Sequence, residues 1–245
     1  MTLVVFLESS IASNYGGCFP PDSLVHTEQR GTLPMSELQL GERVMTIDSH
    51  GRLAYSDVIL FFHKDAKTST EYLQIETASG RQLTITANHL MHTSRTPLSE
   101  RQIANDAQVT FASSVKRGHY VYYTDLETRN VRAVEVQNIT TARMRGMYAP
   151  LTKHGTIVVD NYVTSCYAYI NSASIAHACL APIRLFYDLY NAVVSTSIVR
   201  HLFPSDSRLE STLMTSHNQN GVHWYADILH SIAYYVIPHS MLYNT

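Results

Sequence analysis

The sequence predicts an all-β fold of two related β units, followed by a small α-helical region. From residue 18 to about 165, short runs rich in β-branched and aromatic residues alternate with turn residues. One pattern in this region recurs 77 residues later, which indicates a duplicated β unit with pseudo-two-fold symmetry. Beyond residue 166, apolar residues recur at steps of three and four, as in amphipathic helices.

Two β-hairpins are predicted first. The run at 43–47 and the run at 53–62 flank turn residues 48–51, and the runs at 72–75 and 83–86 flank residues 78–81. Further strands are predicted at 119–123, 131–136 and 155–159.

The repeated pattern has five positions, four of them identical in the two copies. The first copy consists of Ser36, Leu38, Gly41, Val44 and Asp48. The second copy consists of Ser113, Val115, Gly118, Val121 and Asp125.

The helical prediction rests on two apolar stripes separated by a polar loop at 204–221. The first stripe contains Leu180, Ile183, either Phe186 or Tyr187, Tyr190, Val194 and Ile198, and the second contains Trp224, Ile228, Ile232 and Tyr235.

The composition excludes several functional classes. The 245 residues are 45% hydrophobic, which is enough for a core and argues against disorder. The net charge of -2 gives no overall attraction to nucleic acid or to an anionic membrane. The three cysteines include no Cys-x-x-Cys pair, so neither a disulfide scaffold nor a zinc ribbon is predicted. No apolar run reaches the length of a membrane span, and we expect no metal and no cofactor.

Cys18, in Gly16-Gly17-Cys18-Phe19, is the candidate nucleophile. A free thiol ionises near pH 8.5, so nucleophilic use at neutral pH requires a nearby base or an electropositive setting. The leading partner is Thr86-Ala87-Asn88-His89, placed just after a predicted strand.

This pairing of Gly-Cys-Phe with a later Thr-x-x-His resembles the Hint domains of hedgehog precursors and inteins. In chain order, stretches at 55–61, 149–152, 155–159, 165–168, 180–185 and 221–225 resemble the C-terminal processing domains of invertebrate hedgehogs. Intein splicing needs a terminal His-Asn followed by Cys, Ser or Thr. Here Gln219 follows His217-Asn218, so the second nucleophile of splicing is missing.

The resemblance implies three segments. Residues 1–17 would be the remnant of an upstream signalling domain, 18–165 the Hint domain and 166–245 a sterol recognition region. We therefore expect Met1 to be a truncated or alternative start of a longer precursor.

The resemblance also implies a single-turnover autoprocessing reaction. Cys18 would attack the Gly17 carbonyl to form an internal thioester, with His89 and Thr86 assisting at the scissile amide. The hydroxyl of cholesterol would then take over the Gly17 acyl group. The implied partners are the upstream domain in cis, the sterol and a membrane contacted by the helical region. Processing would occur in the endoplasmic reticulum, followed by secretion, with the N-terminal product anchored to a membrane.

The chain departs from the family at the base for the sterol hydroxyl. His63 occupies the position of the family's aspartate, and Asp65 follows two residues later. A neutral imidazole accepts a proton at pH 7, so substitution by His63 ranks first. A shift that brings Asp65 into the site and a loss of sterol transfer are the alternatives.

Cys166 matches a family cysteine near the active site. It would either pair with Cys18 in an oxidising compartment, blocking the nucleophile until reduced, or fill the core. Two rival functions also remain open at this point: a trans-acting cysteine hydrolase using Cys18 and His89, and a catalytically silent secreted interaction domain.

Overall fold

The computed structural model describes residues 17–99, 102–103, 106–168, 181, 184–185 and 187–188. Within this part the fold is almost entirely β, as predicted. The strands are β1 (Leu24–Thr27), β2 (Gly31–Pro34), β3 (Arg43–Ile47), β4 (Leu53–Thr77), β5 (Gln82–Ile85), β6 (His89–Ser94), β7 (Gln108–Phe111), β8 (Tyr120–Asp125), β9 (Asn130–Thr152), β10 (Thr156–Val159) and β11 (Tyr162–Ala168).

The strands form one highly bent sheet in the order β10-β1-β3-β4-β9-β8-β11-β6-β7, with β2 paired to β1 and β5 paired to β4. Both predicted hairpins are present, as β3–β4 and β4–β5. The runs at 53–62 and 72–75, predicted as separate strands, are parts of the single strand β4. They stay joined because the residues between them remain paired to β9 across irregular registers.

The duplication is visible throughout the sheet. Short 3₁₀ helices at Met35–Glu37 and Ala112–Ser114 lead to Gly41 and Gly118, whose φ angles are 82° and 85°. The next strands, β3 and β8, then pair with the long strands β4 and β9, which also begin 77 residues apart. The long strands pair with each other and join the two units.

The core lies between the inner faces of the bent sheet. Its fully buried side chains include Phe19, Ile75, Leu83, Leu90 and Tyr162. A smaller buried cluster contains Cys18, Tyr72, Met147 and Ala149. This second cluster places the candidate nucleophile against the β4–β9 pair.

The predicted C-terminal helices lie mostly outside the described residues, including the whole stripe from Trp224. The described residues of 181–188 are helical, in agreement with the first stripe. In the described part of the chain, no helix is long and apolar enough to span a bilayer.

Candidate active site

The segment Gly17-Cys18-Phe19 enters the core beside β9. Phe19 forms an isolated antiparallel bridge with Tyr148, through a 2.8 Å bond from Phe19 N to Tyr148 O and a 3.1 Å bond in return. Cys18 is fully buried, and this burial raises the pKa of its thiol far above the usual value. The resting nucleophile is therefore a neutral thiol, which must lose its proton to react.

The Thr86–His89 turn lies directly against this segment. The Cys18 N–H donates to Thr86 Oγ1 at 2.9 Å, and the Thr86 N–H donates to Cys18 O at 3.1 Å. The turn closes with a 3.1 Å bond from His89 N to Thr86 O, and β6 begins at His89. The structure thus brings the predicted threonine onto the amide nitrogen of the proposed scissile bond.

His89 is held from its far side by β11. Its Nε2 lies 2.9 Å from Ser165 O. Because a carbonyl oxygen can only accept, Nε2 carries the proton and Nδ1 carries the lone pair. Burial lowers the pKa of His89 to about 4, so the ring is neutral at physiological pH. Among the described residues, Nδ1 has no hydrogen-bond partner.

Nδ1 faces Gly17. A Cβ atom added to Gly17 would lie 2.4 Å from His89 Nδ1, 2.5 Å from His89 Cγ and 2.8 Å from Ala168 Cβ. The Phe19 ring packs on the other side of the imidazole, with the ring centroids 4.5 Å apart. An unprotonated nitrogen therefore sits beside the Gly17–Cys18 peptide.

His63 is buried on β4, 3% exposed, and is the register partner of Ala149. Ala149 also packs in the cluster that contains Cys18. His63 and the candidate nucleophile therefore lie on the same face of the β4–β9 pair. The Asp65 carboxylate is hydrogen-bonded to its neighbours in the chain: it accepts from Lys67 N at 2.6 Å and from Thr68 Oγ1 at 2.5 Å. These bonds lower the pKa of Asp65 despite partial burial.

Cys166 is a buried free thiol, and Cys18 is buried as well. Its Sγ lies 3.5 Å from Thr152 Oγ1, and burial raises its pKa to about 11. The neighbouring Ser165 carbonyl holds His89, so Cys166 borders the site. Cys166 packs in the main core, whereas Cys18 packs in the smaller cluster.

Three contributors were missed from sequence. Tyr72 is fully buried against Cys18, and its hydroxyl lies 2.6 Å from Gly146 O and 3.3 Å from Phe19 O. Ser165 supplies a backbone carbonyl, and Ala168 supplies only a methyl group beside Gly17. A tyrosine in a strand is usually core, and backbone contacts leave no sequence signal, so no pattern pointed to these residues.

The described side chains include no group of three or more His, Cys, Asp or Glu that could hold a metal ion. The assembled groups are a thiol, a neutral imidazole with a free lone pair and a hydroxyl on the amide nitrogen. Such a set can attack an adjacent carbonyl and transfer the thiol proton to the departing amine.

Comparison with known proteins finds related sequences over nearly the whole chain. The family model described as Hint module matches residues 7–238. Protein hedgehog of Drosophila ananassae is 38% identical over 235 residues, covering 95% of this chain and 47% of that protein. Protein hedgehog of Drosophila melanogaster is 35% identical over 236 residues, with the same coverage. The chain thus spans about half the length of these curated relatives.

Two solved structures share the fold. A mutant Ssp DnaB mini-intein has a TM-score of 0.52 at 13% identity, covering 62% of this chain and 92% of the intein. A DnaB intein from Synechocystis has a TM-score of 0.50 at 15% identity, covering 63% of this chain and 99% of the intein.

Proposed function

Since the chain belongs to the Hint family, we propose that it cleaves its own backbone between Gly17 and Cys18. The observation that carries the proposal is the position of the His89 Nδ1 lone pair beside Gly17, with Thr86 Oγ1 on the Cys18 N–H. The similarity to hedgehog proteins and the intein-like fold support self-processing over a structural role.

In the first step, the Cys18 sulfur forms a bond to the Gly17 carbonyl carbon, and the bond from that carbon to the Cys18 nitrogen breaks. His89 Nδ1 accepts the thiol proton and delivers it to the departing nitrogen. The imidazole is neutral before the reaction because burial lowers its pKa. It must therefore accept the thiol proton as a base before it can donate a proton as an acid. The products are an internal thioester and a free Cys18 amine.

In the second step, the hydroxyl of cholesterol attacks the thioester. Its oxygen bonds to the Gly17 carbonyl carbon, the carbon–sulfur bond breaks, and the hydroxyl proton passes through His63 to the Cys18 sulfur. The support for His63 is its burial beside Ala149, which also contacts the nucleophile's cluster. The carboxylate of Asp65 already accepts hydrogen bonds from Lys67 and Thr68, which argues against the shift that would bring Asp65 into the site.

The rest of the proposal concerns the longer protein. Residues 1–17 would be what remains of an upstream signalling domain, 18–165 the catalytic unit and 166–245 the sterol recognition region with its membrane contact. The relatives' greater length supports an upstream domain in cis. Processing in the secretory pathway and membrane anchoring of the N-terminal product belong to the same proposal.

One observation favours a second function. Because His63 stands where the hedgehog resemblance expects an aspartate, thioester formation followed by hydrolysis is the alternative to sterol transfer. In that case the thioester would form normally, and water would replace the sterol hydroxyl.

The test is a fusion of a reporter before Met1, incubated with dithiothreitol or with cholesterol. We expect thiol to release the reporter, and cholesterol to release it as a sterol ester detectable by mass. Cys18→Ala should abolish both reactions. His154→Ala, at an exposed position away from Cys18 in the chain, is the control and should retain cleavage.

An intact fusion in thiol would contradict self-cleavage and favour the silent interaction domain. Release in thiol without any sterol ester would favour hydrolysis. If His63→Asp then forms the ester, the function missing in the unsubstituted chain is the base that accepts the proton of the sterol hydroxyl. Repeated turnover of added peptides would instead indicate the trans-acting hydrolase.

A further inference from the structure

We propose that Arg184 is a positioning residue for the second step: it anchors the C-terminal helical segment onto β11 beside Gly17 through the Tyr167 hydroxyl. The proposal rests on the proposed self-processing activity and assigns one contact of this chain to the transfer of the acyl group. The helical segment means here the described residues of 181–188.

The anchoring point is a bulge at the end of β11. Thr164 pairs with Met91 and Ala168 pairs with His89, so β11 advances four residues while β6 advances two. The additional residues are held by Ser165, whose Oγ accepts from Tyr167 N at 2.9 Å and lies 3.2 Å from Tyr167 O. Bulges commonly occur next to active sites, where they redirect side chains.

Residues of this bulge contact both His89 and Gly17. Its Ser165 carbonyl fixes His89 Nε2, and its Ala168 methyl lies against Gly17, the acyl residue of the proposed thioester. Tyr167 stands between these two contacts in the chain. A segment attached to Tyr167 is therefore attached to the strand end that carries both contacts.

Arg184 makes that attachment. Its side chain is 8% exposed, and Nη2 donates to Tyr167 Oη at 2.5 Å. Burial raises the pKa of Tyr167, so the phenol is neutral and its oxygen is available as an acceptor. Removing a guanidinium from water is costly, which argues that this contact is not incidental.

Two further contacts lie on the same side of the segment, one with the core and one at the surface, where an exposed ion pair adds little to the attachment. Tyr187 packs against the main core, and Lys153 Nζ lies 2.5 Å from Asp188 Oδ1 in an exposed ion pair. Leu185, between Arg184 and Tyr187, is 71% exposed and points away from this contact. Among the described residues of the segment, Arg184, Tyr187 and Asp188 contact the β domain, and Leu185 is exposed.

The first step does not use these contacts. The scissile amide is held by Thr86, and His89 is held by the Ser165 carbonyl, so both groups are fixed within the β domain. The second step requires an apolar alcohol to arrive at the Gly17 carbonyl, and among the described residues Arg184 ties the C-terminal segment to the strand end that lies against Gly17. We therefore expect loss of the anchor to affect transfer and to spare thioester formation.

The experiment uses the full chain with an upstream reporter and compares thiol-driven with cholesterol-driven release. Arg184→Met keeps an unbranched apolar stem and removes the guanidinium, and Tyr167→Phe removes the acceptor. Each should slow the cholesterol-driven reaction by about tenfold or more while thiol-driven release changes by about twofold at most. Because both variants remove the same contact, the double variant should be no slower than the singles.

Lys153→Met is the matched control, since it removes the exposed ion pair of the same segment and should leave both reactions within about twofold of the unsubstituted chain. Arg184→Lys should recover part of the sterol reaction, because a lysine retains one charged donor.

Unchanged cholesterol-driven release in Arg184→Met would overturn the proposal, as would an equal loss in the two reactions. If the unsubstituted chain fails in thiol, the proposed function itself is contradicted. Amide hydrogen exchange at 184–188 then tests the anchor alone: lost protection in Arg184→Met supports it, and unchanged protection overturns it.

Discussion

Gly17 is confined by its neighbours. What excludes a side chain is the imidazole of His89 and the methyl of Ala168, which both occupy the space that a Cβ would need. The small residue before the nucleophile is therefore required by the approach of the catalytic group.

Gly17→Ala should slow thiol-driven cleavage by about a hundredfold, because the new Cβ would displace His89 Nδ1 from the scissile peptide. Reporter release measured by gel at fixed thiol concentration tests this. A second variant adds Ala168→Gly, which relieves only the contact to Ala168. Full recovery in that double variant would show that Ala168, and not His89, is the obstacle.

His89 also links catalysis to stability. In the folded chain its pKa is about 4, below the usual 6.5. Above pH 6.5 the ring is neutral in both states and its contribution to stability is complete. As the pH falls toward 4, the unfolded chain takes up the proton first, so this contribution is lost.

We therefore expect the free energy of unfolding to fall between pH 6.5 and 4, with His89 contributing up to about 3 kcal/mol of that change. Urea denaturation across this range measures it. His89→Gln should flatten the dependence by about that amount, whereas His154→Gln, at an exposed position, should not. An unchanged slope in His89→Gln would contradict the buried neutral imidazole.

At the scale of elements, the two β units use the same turn at equivalent places. The Gly41 N–H donates to Val58 O at 2.8 Å, and the Gly118 N–H donates to Val136 O at 2.9 Å. Both glycines have left-handed φ angles and open space where a Cβ would stand. The repeat found in the sequence thus reflects a shared backbone geometry.

Gly41→Ala and Gly118→Ala should each lower the free energy of unfolding by about 1–2 kcal/mol, because the only cost is left-handed backbone strain. Replacement by Asn should cost less at both positions, since Asn tolerates this conformation. Urea denaturation of the four variants tests the equivalence. A loss at one glycine but not at the other would mean that the duplicated turns have different roles.

The long strands show where local patterns were insufficient. Residues 63–70 are all polar or charged except Ala66, so no local pattern predicts a strand there. They remain in β4 because β9 continues beside them through several register shifts. Pairing with a distant partner, and not local propensity, determines such a segment.

At the scale of the whole molecule, the sheet brings together residues from distant parts of the chain. Cys18 lies near the start of the described residues, Thr86 and His89 near the middle, and Ala168 at the end of the last strand. β11 pairs with β6 and so closes the site over Gly17. The catalytic groups meet only when both β units have folded.

The proposed secretory route makes one further prediction. Asn138-Ile139-Thr140 is the only Asn-x-Ser/Thr triplet in the sequence, and Asn138 is exposed on β9. Expressed through the secretory pathway, the chain should carry a glycan there. Peptide N-glycosidase should then increase its gel mobility.

Asn138→Gln should remove that shift, and Asn130→Gln, on the same strand but outside a sequon, should retain it. A secreted chain without any shift would contradict modification at this site.

The all-β class, the duplicated unit and both hairpins are legible in the amino-acid sequence, and its resemblance to Hint domains suggests pairing Cys18 with Thr86 and His89. These depend on local periodicity, on turn residues and on motifs a few residues long, which a single chain displays directly.

Folding sets three further features: the tautomer of His89, the exclusion of a side chain at Gly17 and the bonding of Asp65 to Thr68 within β4. The buried Tyr72 and the contact between Arg184 and Tyr167 belong with them. They leave no pattern along the chain because they depend on backbone carbonyls, close approach and burial, which arise when the strands pack.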